Sequence, residues 1–341
     1  MNKDAGQIAQ GDTRLHDATA PFDRRRLAVG DGHVLMVEQS GNPQGQPVIV
    51  LHGGPGGGCS PLMRRFFDPE RWRIVMFDQR GCGQSTPLAD VTANTTAHLV
   101  DDIAQICAAL DLPPAVLFGG SWGATLALAF AQAHPERAAG LVLRGVFLAR
   151  QAELDWFYGG AAGQFFPDLW RAFLAPLSAP ERAAPIAAYH RRLFCGDTRA
   201  EAEAAQSWVQ WENALASVQW RGQVAVPPGY ARAFARLECH YFHNRCFLDE
   251  GQLLRDLPRI THLPAVIVQG RCDMVCPPQS AWDLAQGWPG ASLRMVPGAG
   301  HAMTEPGIAE ELVRAMRYFP DQSQRTDGLA PDGMTRDRMK G

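Results

Sequence analysis

Between about residues 25 and 148, short apolar runs alternate with segments of helical spacing. The runs are Arg26–Val29, Val34–Ser40, Val48–His52, Arg73–Asp78, Ala115–Gly119 and Leu141–Gly145. The middle ones read VIVLHG, RIVMFD, AVLFGG and LVLRG. Continuous apolar runs of this length, each closed by a glycine or a polar residue, predict strands covered on both faces. Thr96–Leu110 and Trp122–Ala133 carry helical patterns between them. The alternation predicts an α/β protein, with a mostly parallel twisted sheet and helices on both sides.

The pattern then changes. Residues 149–253 are rich in Ala, Arg, Glu, Trp and Phe and poor in β-type runs, which predicts several helices. The β pattern returns in AVIVQG at Ala265–Gly270 and LRMVP at Leu293–Pro297, and a last helix is expected at Ile308–Phe319. The expected organisation is a core formed by 21–148 and 254–320 with a helical cap domain at 149–253. Such an insertion would sit over the carboxyl ends of the strands, where open α/β sheets bind ligands. Residues 1–20 and 321–341 are polar and without periodicity, and mobile tails are expected there.

Composition narrows the function classes. The 341 residues are 46% hydrophobic and 20% charged, with a formal net charge of -3. There is no basic excess to suggest a nucleic-acid partner and no acidic tract. No run approaches the roughly 18 apolar residues of a membrane span, and the first twenty residues lack the apolar centre of a signal peptide. A cytoplasmic protein is expected, with its eight cysteines reduced. Cys239, His240, His243 and Cys246 cluster, but their spacing fits no familiar zinc pattern, and no metal is expected.

The chemistry is carried by Gly119-Gly120-Ser121-Trp122-Gly123, which fits G-x-S-x-G between a predicted strand and a predicted helix. In that setting the turn is tight enough to strain the serine, and only small neighbours avoid clashes. The hydroxyl is pushed outward beside the amide dipoles of a helix start. A serine hydroxyl needs a base, and in the order Ser, Asp, His that base comes late in the chain. His301 follows the last predicted strand in VPGAGHAM, and Asp273 follows AVIVQG. Ser121, Asp273 and His301 are therefore the expected catalytic triad, with Asp283 and Glu305 as weaker rivals for the acid. An oxyanion hole needs two N–H donors; Trp122, next to the serine, and Gly54, in HGGPG after VIVLHG, are expected to supply them. No Gly-Lys-Ser/Thr follows this glycine run, which excludes a Walker-type phosphate loop, and the Rossmann spacing is absent.

These residues, together with several longer segments, resemble the proline iminopeptidase (prolyl aminopeptidase) family, α/β-hydrolases that release N-terminal proline from peptides. The matching segments include HGGPGGG at 52–58, FDQRGCGQS at 77–85, GGSWGATLALAFAQAHPE at 119–136, LRGVF at 143–147, WVQWE at 208–212, RLECHYF at 236–242 and GRCDMVCP at 270–277. The resemblance runs from about residue 20 to 320. It implies an α/β-hydrolase fold, a peptide substrate with a free N-terminal proline, and no cofactor. It also implies that Glu212 and Glu238 bind the substrate amine and that Phe147 lines the proline pocket, with Phe242 a second candidate. Physics agrees with that role for the carboxylates, since a buried ammonium is costly unless paired. Two departures stand out: Phe157 where a tyrosine is usual, and Cys272 where an aromatic is usual. Cys276 matches a family cysteine near the active site. A broader esterase or amidase on the same fold is the competing expectation, and a non-catalytic binding protein the more distant one.

Overall fold

The computed structural model describes residues 14–219, 222 and 225–319. Of the expected tails, residues 1–13 and all of 321–341 lie outside the described residues. Leu15 packs against the core, and the His16 amide donates to the Arg65 carbonyl at 2.8 Å.

Among the described residues, eight strands form one sheet: β1 Pro21–Gly30, β2 His33–Gly41, β3 Gln46–Leu51, β4 Trp72–Phe77, β5 Ala115–Ser121, β6 Ala138–Val146, β7 Ala265–Gly270 and β8 Ala291–Val296. Their order is β1-β2-β4-β3-β5-β6-β7-β8. β1 and β2 join antiparallel, and every pair from β4/β3 to β7/β8 is parallel. The central strands are apolar on both sides because both sides are covered. Ile49, Leu51 and Leu117 point into one core, and Val48, Val50 and Val116 into the other.

Helices α1 Thr96–Ala109 and α2 Trp122–Ala133 lie in the first layer. The Thr95 side chain accepts the His98 amide at the start of α1, and Leu99, Ile103 and Ile106 turn inward at helical spacing. Between β6 and β7 run α3 Gln151–Tyr158, α4 Pro167–Leu174, α5 Pro185–Leu193, α6 Thr198–Leu215, α7 Pro228–His243 and the short α8 Gln252–Arg255. Helices α4 to α7 pack on one another around Phe173, Tyr189, Trp208 and Trp211, whereas α8 packs against α2. α9 Pro278–Gln286 and α10 Pro306–Arg317 complete the outer layers. In α10, Ile308, Leu312, Val313 and Met316 face the sheet. Among the described residues no helix is long and apolar enough to cross a membrane.

Candidate active site

The turn from β5 to α2 has the strain expected of it. Ser121 has φ 58° and ψ -126°, a conformation that side chains other than glycine adopt rarely. A Cβ on Gly119 would lie 2.2 Å from the Gly123 carbonyl oxygen, and one on Gly123 would lie 2.0 Å from that of Leu51. The glycines of the motif are thus what lets α2 start against β3.

Asp273, after β7, and His301, after β8, meet directly: His301 Nδ1 lies 2.8 Å from Asp273 Oδ2. Both side chains are buried. Asp273 Oδ1 accepts the amides of Val275 at 3.0 Å and Cys276 at 2.8 Å, which fixes the carboxylate. Gln269 donates to Asp273 Oδ2 at 3.1 Å and accepts the Val146 amide at 3.0 Å, tying β7 to β6 behind the pair. The rival acids go elsewhere. Asp283 pairs with Arg150, and Glu305 accepts from Ser217 and the Val218 amide.

Ser121 and His301 line the same cavity, but their hydrogen bonds run elsewhere. The Ser121 hydroxyl has the Cys276 thiol as its partner. Burial, and then the charge of Asp273, hold that thiol well above its ordinary pKa, so it is a neutral neighbour. His301 Nε2 faces Arg144 Nη1 at 3.1 Å, and the same nitrogen donates to the His301 carbonyl at 2.8 Å. Catalytic hydrogen bonds are often long or misaligned before substrate arrives.

The cavity is about 180 Å³. Gly53 and Gly54 border it next to Ser121, and a Cβ on Gly53 would come within 4.0 Å of Ser121 Oγ. Phe147, Phe157 and Phe242 form apolar wall, with the rings of Phe147 and Phe242 edge to face at 5.7 Å. Phe157, the departure from the usual tyrosine, adds a ring without a hydroxyl. Cys272 is not among the lining residues. Glu212 on α6 and Glu238 on α7 also line the cavity. The Tyr158 hydroxyl donates to Glu212 Oε1 and lies 3.5 Å from Glu238 Oε2, and Trp208 Nε1 donates to Glu238 Oε2 at 2.6 Å. Burial drives the Glu212 pKa up to about 7, against the Tyr158 hydrogen bond. Burial, and then the charge of Glu212, raise Glu238 well above the carboxylate range. Without a cation between them, the two share a proton near neutrality.

All nine residues expected at the site border this cavity or adjoin a residue that does. Sequence reasoning missed Tyr158 and Arg144. A lone arginine inside the otherwise apolar run LVLRG, in a strand covered on both faces, was the available signal for Arg144. Tyr158 had no comparable signal, being one aromatic among many. The cluster Cys239, His240, His243 and Cys246 disperses: Cys239 and His240 bond to the carbonyls of Ile186 and Asn94.

A family model described as the alpha/beta hydrolase fold matches residues 46–307. The proline iminopeptidase of Xylella fastidiosa is 50% identical over 89% of this chain and 99% of its own length. That of Arabidopsis thaliana is 48% identical over 88% of this chain and 80% of its own. Among solved structures, the proline iminopeptidase of Mycobacterium smegmatis superposes with a TM-score of 0.57 at 21% identity, covering 86% of this chain and 98% of that one. The esterase RhEst1 of Rhodococcus sp. ECU1013 superposes with 0.56 at 19%, covering 87% and 98%. At such identities the superpositions speak for the fold, which esterases share; the sequence relatives at half identity over nearly the whole chain speak for the family. The chain belongs to the proline iminopeptidase family of α/β-hydrolases.

Proposed function

We propose that this protein is a serine aminopeptidase that releases N-terminal proline from peptides through an acyl-enzyme. The observation that carries the reading is the buried carboxylate pair Glu212 and Glu238 in the cavity that also contains Ser121 and His301. An esterase has no use for two anions aimed at its acyl pocket. An aminopeptidase must tell a charged chain end from an internal amide, and a desolvated pair of carboxylates does so.

The substrate ammonium docks between Glu212 and Glu238, and the pyrrolidine ring rests against Phe147 and Phe242. The Arg144 guanidinium gives up His301 Nε2. Ser121 then attacks the prolyl carbonyl carbon while His301 takes the hydroxyl proton, and Asp273 holds the imidazole tautomer and stabilises the imidazolium. The amides of Trp122 and Gly54 hold the oxyanion. The C–N bond breaks as His301 protonates the departing amine. Water, deprotonated by His301, attacks the ester, and Ser121 regains its proton as proline leaves. A cytoplasmic setting suits this chemistry, with peptides as substrates and Cys276 reduced.

The test is a panel of prolyl, alanyl and acetyl-prolyl arylamides with native protein and Ser121→Ala. The expected result is a strong preference for the free prolyl amine and loss of nearly all turnover in the variant. Equal cleavage of the acetylated substrate would overturn the ammonium-docking reading and favour a broad amidase.

A further inference from the structure

We propose that Gln79 is a positioning residue that fixes the two halves of the oxyanion hole relative to each other; this rests on the reading of Trp122 and Gly54 as its donors. Those donors sit on separate segments, Gly54 on the loop after β3 and Trp122 at the first residue of α2. Strand pairing sets their spacing only as far as Leu51 opposite Gly119. Beyond that point each segment needs another constraint, since a misplacement of about 1 Å can cost on the order of 10² in rate.

Gln79 supplies it from a third segment, after β4. Its side chain is buried and spans the gap: Oε1 accepts Trp122 Nε1–H at 2.9 Å, and Nε2 donates to the His52 carbonyl at 3.0 Å. Its backbone N–H donates to His52 Nε2 at 3.0 Å. An indole only donates and a carbonyl only accepts, so the carboxamide has one possible orientation. Burial lowers the His52 pKa and keeps the ring neutral. His52 Nδ1 lies 3.0 Å from the Gly53 carbonyl oxygen and 3.2 Å from the Gly58 nitrogen, so the ring is also tied to the loop that carries Gly54. One residue thus holds the side chain of Trp122 and both the backbone and ring of His52, the residue that leads into Gly53-Gly54.

The loop carrying Gln79 is itself rigid. Arg80 makes a two-pronged ion pair with buried Asp102, both bonds at 2.8 Å. The Asp78 carboxylate accepts the amides of Cys59 and Gln84, both at 2.8 Å, and a Cβ on Gly83 would lie 2.2 Å from it. The segment DQRGCGQS is therefore a frame outside the cavity with a single side chain reaching both oxyanion segments. Glutamate would set a lone pair against the His52 carbonyl, and asparagine is too short to span.

The experiment is Gln79→Met, which keeps length and volume, removes both side-chain bonds and leaves the backbone bond to His52. The probes are a prolyl arylamide, pyrrolidine, and pyrrolidine-2-boronic acid. Boron gains a fourth bond from Ser121 Oγ as the hydroxyl proton passes to His301; no bond to boron breaks, and the anionic adduct mimics the oxyanion. The expected result is a fall in kcat of about 10- to 100-fold with KM within about threefold. Boronate affinity should fall by the same factor while pyrrolidine affinity stays unchanged. Trp122→Phe, which removes the donor at the other end, should give a similar kcat loss, and the double variant should lose no more than the worse single one. If Gln79→Met fails to fold, Gln79→Glu carries the same readouts. Retention of kcat and boronate affinity within about twofold would overturn the proposal, as would a parallel loss of pyrrolidine affinity, which marks general damage. The underlying reading fails differently: native protein would then bind the boronate no more tightly than pyrrolidine, and Ser121→Ala would change neither.

Discussion

Trp208 donates its indole N–H to Glu238 Oε2 at 2.6 Å, a bond made wholly inside the helices between β6 and β7. It holds the carboxylate in one rotamer before any ligand arrives. Tyr158 does the same for Glu212, so aromatic side chains around the pair hold both acids in addition to the contact the two make with each other. Removing Glu238 should therefore act on amine recognition and not on bond breaking. Glu238→Ala is expected to cost about 2–5 kcal/mol in kcat/KM toward a prolyl arylamide, the range for one partner of a buried charge pair. The competition constant of pyrrolidine should worsen in step. Trp208→Phe should show a smaller loss of the same kind, with unchanged labelling of Ser121 by a fluorophosphonate.

The same pair predicts a pH profile. In the free enzyme burial pushes Glu212 up to about 7, and Glu238 lies well above the carboxylate range. Ammonium docking needs the ionised form, which appears as pH rises through Glu212's pKa. kcat/KM should therefore increase with pH across about 6 to 8 and fall only as the substrate amine deprotonates, near 8 for a chain terminus. Glu212→Gln should alter the shape of the lower limb, which then reflects the remaining groups alone, while reducing the plateau. Pyrrolidinium binding should also expel about one proton from the pair at neutral pH, visible as a dependence of binding enthalpy on buffer. A rate that rises toward acid pH would contradict this assignment.

The fold was legible because its strands are buried on both faces. VIVLHG, RIVMFD, AVLFGG and AVIVQG cannot hide in any arrangement but a covered sheet, and each lies within a residue or two of its predicted place. β1 was harder. It is an edge strand with alternating exposure, and Arg24, Arg25 and Arg26 mask its start. The candidate residues Ser121, Asp273 and His301 stood out in the sequence because steric demands surround the serine and strand ends precede the other two. Arg144 and Gln79 were not assigned roles, since each bonds to partners more than 25 residues away in the chain. Sequence spacing carries no trace of such pairings.

Asp273 offers a sharp electronic test. Its Oδ1 is committed to the amides of Val275 and Cys276, leaving Oδ2 for His301 Nδ1 and the Gln269 side-chain NH2. In Asp273→Asn the amide oxygen is expected to stay on the Oδ1 side, because two fixed backbone donors face it there, against the one movable Gln269 side-chain donor on the other side. The NH2 group then faces Nδ1 and forces the proton of His301 onto Nε2, where it cannot accept from Ser121. kcat should drop by about 10⁴ with KM little changed. Asp283→Asn and Glu305→Gln, altering acids bonded to Arg150 and Ser217, should stay within about tenfold of native. A larger loss in either than in Asp273→Asn would reassign the acid.

Gly145, in LRGVF, tests whether packing alone can disable the site. Its φ is +53°, and a Cβ there would lie 2.9 Å from His301 Nδ1 and 3.3 Å from Asp273 Oδ2. Neither neighbour can give way cheaply, since their mutual bond is buried and Asp273 is pinned by two amides. Gly145→Ala therefore adds one methyl group and drives the imidazole from its place without substituting any functional group. The left-handed backbone costs about 1–2 kcal/mol in stability, and the displaced base should cost on the order of 10² in kcat. The two effects separate in a thermal melt run beside the assay: a small drop in Tm accompanied by a large loss of kcat places the damage at His301. A variant of native activity would mean that His301 works from a position other than the one beside Gly145.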